Sequence, residues 1–83
     1  MFPSDIKKVA VVAIKNNEIH TLRFLVNELC GWMDSPNEET AQVAAYIGNN
    51  FFKITDQNGS LEDMKTANVL LKYAVKVLVP KNN

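Results

Sequence analysis

Cysteine, histidine and glycine are scarce in this chain, and each scarcity narrows the class of protein. The 83 residues include one cysteine, Cys30, and one histidine, His20. A lone cysteine cannot form a disulfide within the chain or a cysteine metal cluster, and an unpaired thiol is typical of a reducing compartment. The sequence therefore predicts a cytoplasmic protein. Three glycines and 47% apolar residues indicate a folded globular chain rather than a disordered one.

Net charge and long apolar runs are also absent. Nine basic and nine acidic residues give a formal net charge of zero, whereas dedicated nucleic-acid-binding domains usually carry a basic excess. The apolar run at residues 9–14 is six residues long, far short of the roughly 20 residues that cross a bilayer. The sequence therefore predicts no membrane partner, and it favours protein over nucleic acid as the partner.

The chain offers few groups that could carry out chemistry. His20 and Cys30 lie ten residues apart, about 15 Å along one predicted helix, so they cannot form a nucleophile–base pair there. The segment 56–60 has the composition of a calcium loop, but it lacks the glycine and glutamate positions that an EF-hand requires. We therefore expect no catalytic residues, no metal site and no cofactor, and the protein is not expected to be an enzyme.

Apolar residues recur every three or four positions along most of the chain, which predicts helices. Four such stretches lie near residues 4–16, 18–32, 36–54 and 60–79. The connections between them are short, and short connections bring consecutive helices side by side. The sequence therefore predicts an all-α fold with a single domain at 1–83, a four-helix bundle built from two antiparallel helical hairpins.

The fourth predicted helix is the most apolar and is expected to be the centre of the bundle. Ser60 is placed to cap its start, and Pro80 is expected to stop it. Its predicted buried stripe consists of Met64, Ala67, Leu71, Ala74 and Leu78, widened by Leu70, Tyr73 and Val77. Leu71 in particular is expected to be fully buried. The end of this segment, 75–79, alternates like a strand, but a single strand would lack a partner, so helix is favoured.

The third predicted helix has a strong start signal and one interruption. Ser35, Pro36 and Glu38 match a capping box with proline at the first helical position. Gly48 then interrupts the helix, at a cost of roughly 1 kcal/mol relative to alanine. Either the helix continues and Gly48 permits close approach of a neighbour, or the helix breaks and restarts at Phe51. Continuity is favoured because the apolar period survives the interruption.

Two aromatic residues lie outside the apolar stripes. Phe24 falls on the polar side of its predicted helix beside His20 and Asn27, and Tyr46 falls on the polar side of the third. Aromatic residues are enriched at binding surfaces, so these four are the candidate partner-binding residues. The simpler alternatives are that the bundle tilts to cover the aromatics and that His20 is solvated. We expect Phe24 to be partly exposed, or covered by a second copy.

These patterns lead to two hypotheses about function. The first is a small non-enzymatic protein–protein interaction module, such as a regulator, inhibitor, immunity factor or chaperone-like adaptor, that binds a protein partner through a helical surface. A homodimer is one form of that association. The alternative is a nucleic-acid-associated regulator that uses the lysines of the first and last helices. Those lysines are Lys7, Lys8, Lys15, Lys65, Lys72 and Lys76.

Overall fold

The chain folds into four α-helices in a computed structural model that describes residues 1–58 and 60–79. Their bounds are α1 Pro3–Lys15, α2 Ile19–Cys30, α3 Glu38–Asn58 and α4 Leu61–Leu78. The described residues contain no β-strand, so the all-helical prediction is confirmed. The predicted stop at Pro80 lies outside the described residues, as does Gly59 in the connection between the third and fourth predicted helices.

The start of α3 differs from the predicted capping box. Asn37, rather than Ser35, caps the helix, because its Oδ1 accepts from the Thr40 backbone N–H at 2.8 Å. The reason is a tertiary contact with α4. The Tyr73 hydroxyl donates to the Ser35 carbonyl at 2.8 Å and accepts from the Asn37 N–H at 3.2 Å. These bonds hold residues 35–37 outside the helix, so α3 begins two residues later than predicted.

The connection between α3 and α4 is shorter than predicted. The backbone of 56–58, predicted as part of a loop, belongs to α3, which extends to Asn58. Ser60 caps α4 as predicted, because its Oγ accepts from the Glu62 N–H at 3.1 Å. Between α1 and α2, Asn17 adopts φ 55°, the left-handed conformation that asparagine tolerates at helix ends.

Helix α3, not α4, is the element around which the other helices are arranged. The backbone of α3 closely approaches α1, α2 and α4, whereas α4, over the described residues, closely approaches α3 alone. The prediction that α4 forms the centre is therefore wrong. All four helices contribute to one hydrophobic core. Its buried members are Ile6, Ala10, Ala13, Leu22, Leu25, Val26, Leu29, Val43, Ala44, Ile47, Phe51, Ala67, Leu70 and Ala74.

The buried face of α4 is rotated relative to the predicted one. Leu70 is fully buried, while Leu71, expected to be fully buried, is only partly covered. Met64 and Leu78, also assigned to the buried stripe, are exposed. The physical reason is that one neighbouring helix covers only one stripe of a cylinder. The covered stripe contains Asp63, Ala67, Leu70 and Ala74, and its two alanines let α4 lie close to α3.

The close approach of the two helices occurs at Gly48, where α3 runs through without a break. A Cβ atom at Gly48 would lie 2.9 Å from Leu71 Cγ and 3.3 Å from the Ala67 carbonyl oxygen. Carbon atoms pack optimally at about 3.5–4.0 Å, so the position has no room for a methyl group. The interpretation of Gly48 as a contact glycine in a continuous helix is confirmed.

Replacing Gly48 with alanine is expected to lower the free energy of unfolding by about 1–3 kcal/mol, because overpacking outweighs the gain of about 1 kcal/mol in helix propensity. Gly31→Ala is the matched control, since a Cβ there would meet only the Glu28 carbonyl at 3.5 Å. That variant should be neutral or stabilised by up to about 1 kcal/mol. Urea denaturation of both variants checks this, and equal effects would contradict the close packing.

Candidate functional site

Three of the four residues proposed from the sequence lie together on α2. Phe24, His20 and Asn27 are all exposed, and the Phe24 residue retains 58% of its accessible surface. The opposite face of α2 is packed into the core by Leu22, Leu25, Val26 and Leu29. The expected partial exposure of Phe24 is confirmed. The role of these three residues in binding a partner stays a prediction.

Tyr46 has a different environment from the α2 residues. It is partly buried and packs against the core. The Lys7 Nζ of α1 lies 5.7 Å from the centroid of its ring, within the range of a cation–π interaction. Its position on the polar side of α3 is therefore explained by contact with α1, so the fold alone accounts for an aromatic residue there.

A groove of about 260 Å³ lies between α2 and α4, and an ion pair forms part of its wall. Arg23 donates from Nε to Asp63 Oδ1 at 2.9 Å and from Nη2 to Asp63 Oδ2 at 2.6 Å. The side chain of Asp63 is 7% exposed, and that of Arg23 is 43% exposed. Paired parallel bonds of this kind combine charge with fixed geometry. The pair therefore fastens α2 to α4, although their backbones do not closely approach each other.

The ion pair also sets the charge state of the groove. Hydrogen bonds from Arg23 hold the pKa of Asp63 below its usual value of 3.8, and they outweigh burial, which acts in the opposite direction. The same bonds raise the pKa of Arg23. Both groups are therefore charged at neutral pH, and each is the hydrogen-bond partner and counter-charge of the other. The arrangement is that of a structural ion pair rather than of a general acid or base.

Replacing Arg23 with methionine is expected to destabilise the protein in a pH-dependent way. Because its pKa is depressed in the folded chain, Asp63 contributes stability that is present above pH 3.8 and is lost as the pH falls through the folded value. Without Arg23, the carboxylate is buried without this partner and its pKa rises. The denaturation midpoint of Arg23→Met should therefore fall furthest below the parent at pH 7, and this gap should shrink at acidic pH.

The control for this experiment is Lys8→Met, which removes a positive charge from an exposed position on α1. Its midpoint should follow that of the parent across the same pH range, because surface substitutions are usually mild. Urea denaturation at pH 7, 5, 4 and 3 measures all three proteins. A gap between Arg23→Met and the parent that is independent of pH would contradict the assigned role of Asp63.

Apolar side chains are exposed along the length of α4. Leu61, Met64, Val75 and Leu78 retain 69%, 43%, 58% and 37% of their accessible surface. Together with the partly covered Leu71 and the exposed Asn68, they form the surface that we call the α4 seam. Its six members, Leu61, Met64, Asn68, Leu71, Val75 and Leu78, alternate at spacings of three and four residues. They share one face of the helix over roughly 25 Å.

The sequence prediction missed the α4 seam because it merged two neighbouring stripes into one buried face. The apolar circumference of α4 exceeds what a single neighbouring helix covers, and that excess was the available signal. Separating the stripe of Ala67, Leu70 and Ala74 from that of Leu71 and Val75 requires knowing that, among the described helices, α3 is the one whose backbone lies against α4. The exposure of the α4 seam is thus a consequence of how α4 packs on α3.

No family model, curated protein or solved structure matches this chain. Over residues 1–58 and 60–79, no three histidine, cysteine, aspartate or glutamate side chains are grouped so as to hold a metal ion. No helix in that part of the chain has the length and apolar character needed to cross a membrane.

Proposed function

We propose that this chain is a small non-enzymatic protein–protein interaction module that binds its partner through the α4 seam. One observation carries the proposal: α4 exposes a stripe that is apolar except for Asn68, on a helix whose adjoining face is already packed on α3. Singly scattered apolar residues are normal at a protein surface, but a contiguous patch marks an interaction site. Apolar residues at spacings of three and four are also the anchors by which helices bind helices.

The surroundings of the α4 seam support this proposal. Lys65, Lys72 and Lys76 are exposed beside it, so an apolar centre adjoins a charged border. Protein interfaces have this arrangement, with charged residues depleted at the centre and present at the rim. The α2 residues around Phe24 offer a second, smaller surface, in which one aromatic side chain lies among polar neighbours.

We also infer that two antiparallel hairpins, α1–α2 and α3–α4, hold this surface in place. At one end, the amino group of Met1 lies 3.6 Å from the Glu28 carboxylate, and the Trp32 indole donates to the Met1 carbonyl at 2.8 Å. The chain start is thus next to the end of α2. At the same end of the molecule, the Tyr73 hydroxyl in the last part of α4 donates to the Ser35 carbonyl just before α3. Both sets of contacts support helices that run back along their predecessors.

The alternative function, nucleic-acid binding through the lysines of α1 and α4, has less support. In the described part of the chain, α1 and α4 do not closely approach each other, so their lysines do not come from adjoining helices. Lys7 is already positioned over the ring of Tyr46. A salt-dependent mobility shift with mixed-sequence duplex DNA would favour this alternative.

Site-specific photo-crosslinking in the native host tests the proposed function. A photoreactive amino acid is introduced at Val75, within the α4 seam, or at Val12 on α1. Position 12 is the matched control, because Val75 and Val12 are 58% and 56% exposed and are therefore equally accessible to other proteins in solution. We expect a discrete protein adduct from position 75 and none from position 12. Absence of any protein adduct at position 75, with the variant folded and expressed, would contradict the proposal.

A further inference from the structure

We propose that the partner of the α4 seam is the α4 seam of a second copy of this chain, with the two α4 helices parallel in a short two-stranded coiled coil. This inference rests on the proposed function, since it names the occupant of the same surface. It depends on three features of the described residues: the register of the seam, the position of its one polar member and the charges on its flanks.

The register of the α4 seam is that of a coiled coil. Alternating spacings of three and four residues define the a and d positions of a heptad. Leu61, Asn68 and Val75 occupy a, and Met64, Leu71 and Leu78 occupy d. In parallel two-stranded coiled coils, β-branched residues are favoured at a and leucine at d. Val75 at a, with Leu71 and Leu78 at d, follows this rule.

Asn68 identifies the partner and its direction. It is exposed in the middle of an otherwise apolar stripe, where an apolar partner would leave its amide without hydrogen bonds. In a parallel pair, Asn68 of one copy faces Asn68 of the other, and each amide offers both a donor and an acceptor. In an antiparallel pair, Asn68 faces Leu71. A single asparagine at an a position is a known device for fixing register and two-stranded pairing.

The charges beside the α4 seam favour the same direction. Lys65 and Lys72 occupy e positions on one flank, and the opposite flank contains Ser60 together with Ala67 and Ala74, which are packed on α3. In a parallel pair, the e flank of one helix faces the g flank of the other, and that flank of α4 contains no charged residue. An antiparallel pair would create two close contacts between like charges, each joining Lys65 of one copy to Lys72 of the other. Repulsion therefore opposes the antiparallel arrangement.

The short length of the seam is compatible with dimerisation because α4 is already folded. The seam spans about two and a half heptads, and isolated helices of that length are marginal in water, since nucleation is unfavourable. Here α3 holds α4 in the helical state, and Leu71 lies against Gly48. Association therefore orders side chains without having to form the helix.

Sedimentation equilibrium of the full chain tests whether the second copy binds. The parent should show a reversible monomer–dimer equilibrium. Val75→Lys, which places a charge at an a position, should weaken the dimer at least about tenfold. Val12→Lys, the same change at an equally exposed position of α1, should leave the dimer unchanged. Circular dichroism and urea denaturation of dilute samples verify that both variants fold. A parent that is monomeric throughout, or two variants that weaken the dimer equally, would overturn the inference.

Disulfide trapping tests the direction. In a Cys30→Ser background, Val75→Cys should form a disulfide dimer by itself under mild oxidation, because equivalent a positions face each other in a parallel pair. Preferential pairing of Val75→Cys with Met64→Cys in a mixture of the two variants would indicate the antiparallel arrangement and overturn the inference. Asn68→Val should strengthen the dimer and reduce its preference for one direction.

The host crosslinking experiment separates failure of this inference from failure of the proposed function. An adduct at position 75 that contains a second copy of the chain supports both. An adduct with a different protein, together with a monomeric parent in sedimentation, overturns the second copy as partner and leaves the interaction module intact. Absence of any adduct at position 75 overturns the proposed function itself.

Discussion

Replacing Phe51 with alanine is expected to lower the free energy of unfolding by about 3–5 kcal/mol. Phe51 lies on α3, the helix that the other three contact, and it is 0% exposed. Its removal takes away the apolar contacts of a whole ring and leaves a cavity at the centre of the molecule. A small domain has a total stability of only about 5–15 kcal/mol. The variant should therefore be partly unfolded at ambient temperature.

The matched control is Phe24→Ala, the same substitution on the exposed face of α2. Phe24 is 58% exposed, so its truncation should change the free energy of unfolding by no more than about 1 kcal/mol. Urea denaturation followed by circular dichroism measures both variants. Comparable losses of stability would mean that Phe24 is a core residue, and the α2 surface would then be removed from the candidate binding sites.

Replacing Leu70 with alanine is expected to destabilise the protein by about 2–5 kcal/mol. Leu70 is 0% exposed and contributes the largest apolar side chain on the buried face of α4. Because α3 is the one helix whose backbone closely approaches α4 in the described chain, a cavity at Leu70 weakens the attachment of the whole helix. The loss should appear as a lower denaturation midpoint.

In dilute solution, Leu71→Ala should destabilise the protein clearly less than Leu70→Ala does, since Leu71 is only partly covered. Its larger effect should appear in the dimer, because Leu71 occupies a d position of the α4 seam. The sequence alone predicts the opposite order, with Leu71 as the buried leucine. If Leu71→Ala proves more destabilising than Leu70→Ala at low protein concentration, the orientation of α4 described here is wrong.

The helices themselves could be predicted because their signals are local. Apolar spacing of three and four residues involves only residues that are close in the sequence, and so does the cap at Ser60. Both signals predicted elements that the structure contains. The role of Gly48 was also predictable, since an uninterrupted apolar period on both sides of a glycine favours a continuous helix with a close neighbour. Each of these inferences uses residues within one helix or next to it.

Features that depend on distant residues could not be predicted in the same way. Arg23 and Asp63 are 40 residues apart, and no local pattern relates them. The choice of Asn37 over Ser35 as the cap of α3 depends on Tyr73, which is 36 residues away from Asn37. The sequence pattern predicts Ser35 as the capping acceptor, whereas in the structure the Asn37 side chain caps the helix beside the hydrogen bonds of Tyr73.

The candidate site was predictable only in part, for the same reason. Polar neighbours along one helix correctly placed Phe24 at the surface, whereas Tyr46 is accounted for by Lys7 on a different helix. The α4 seam is exposed because, in the described part of the chain, the backbone of α4 closely approaches one helix instead of several. A helix that is apolar over more than half of its circumference indicates either a central position or an unoccupied surface, and the packing of α3 decides between them.

The most direct test of the account is a methyl NMR spectrum of the chain recorded over a dilution series. If two copies meet at the α4 seam, concentration-dependent shifts should be confined to methyl groups of that surface, such as those of Met64, Leu71, Val75 and Leu78. Val12, exposed on α1, should show no shift. Spectra that do not change with concentration, or shifts centred on the α2 surface around Phe24, would contradict the assignment of the α4 seam as the site of association.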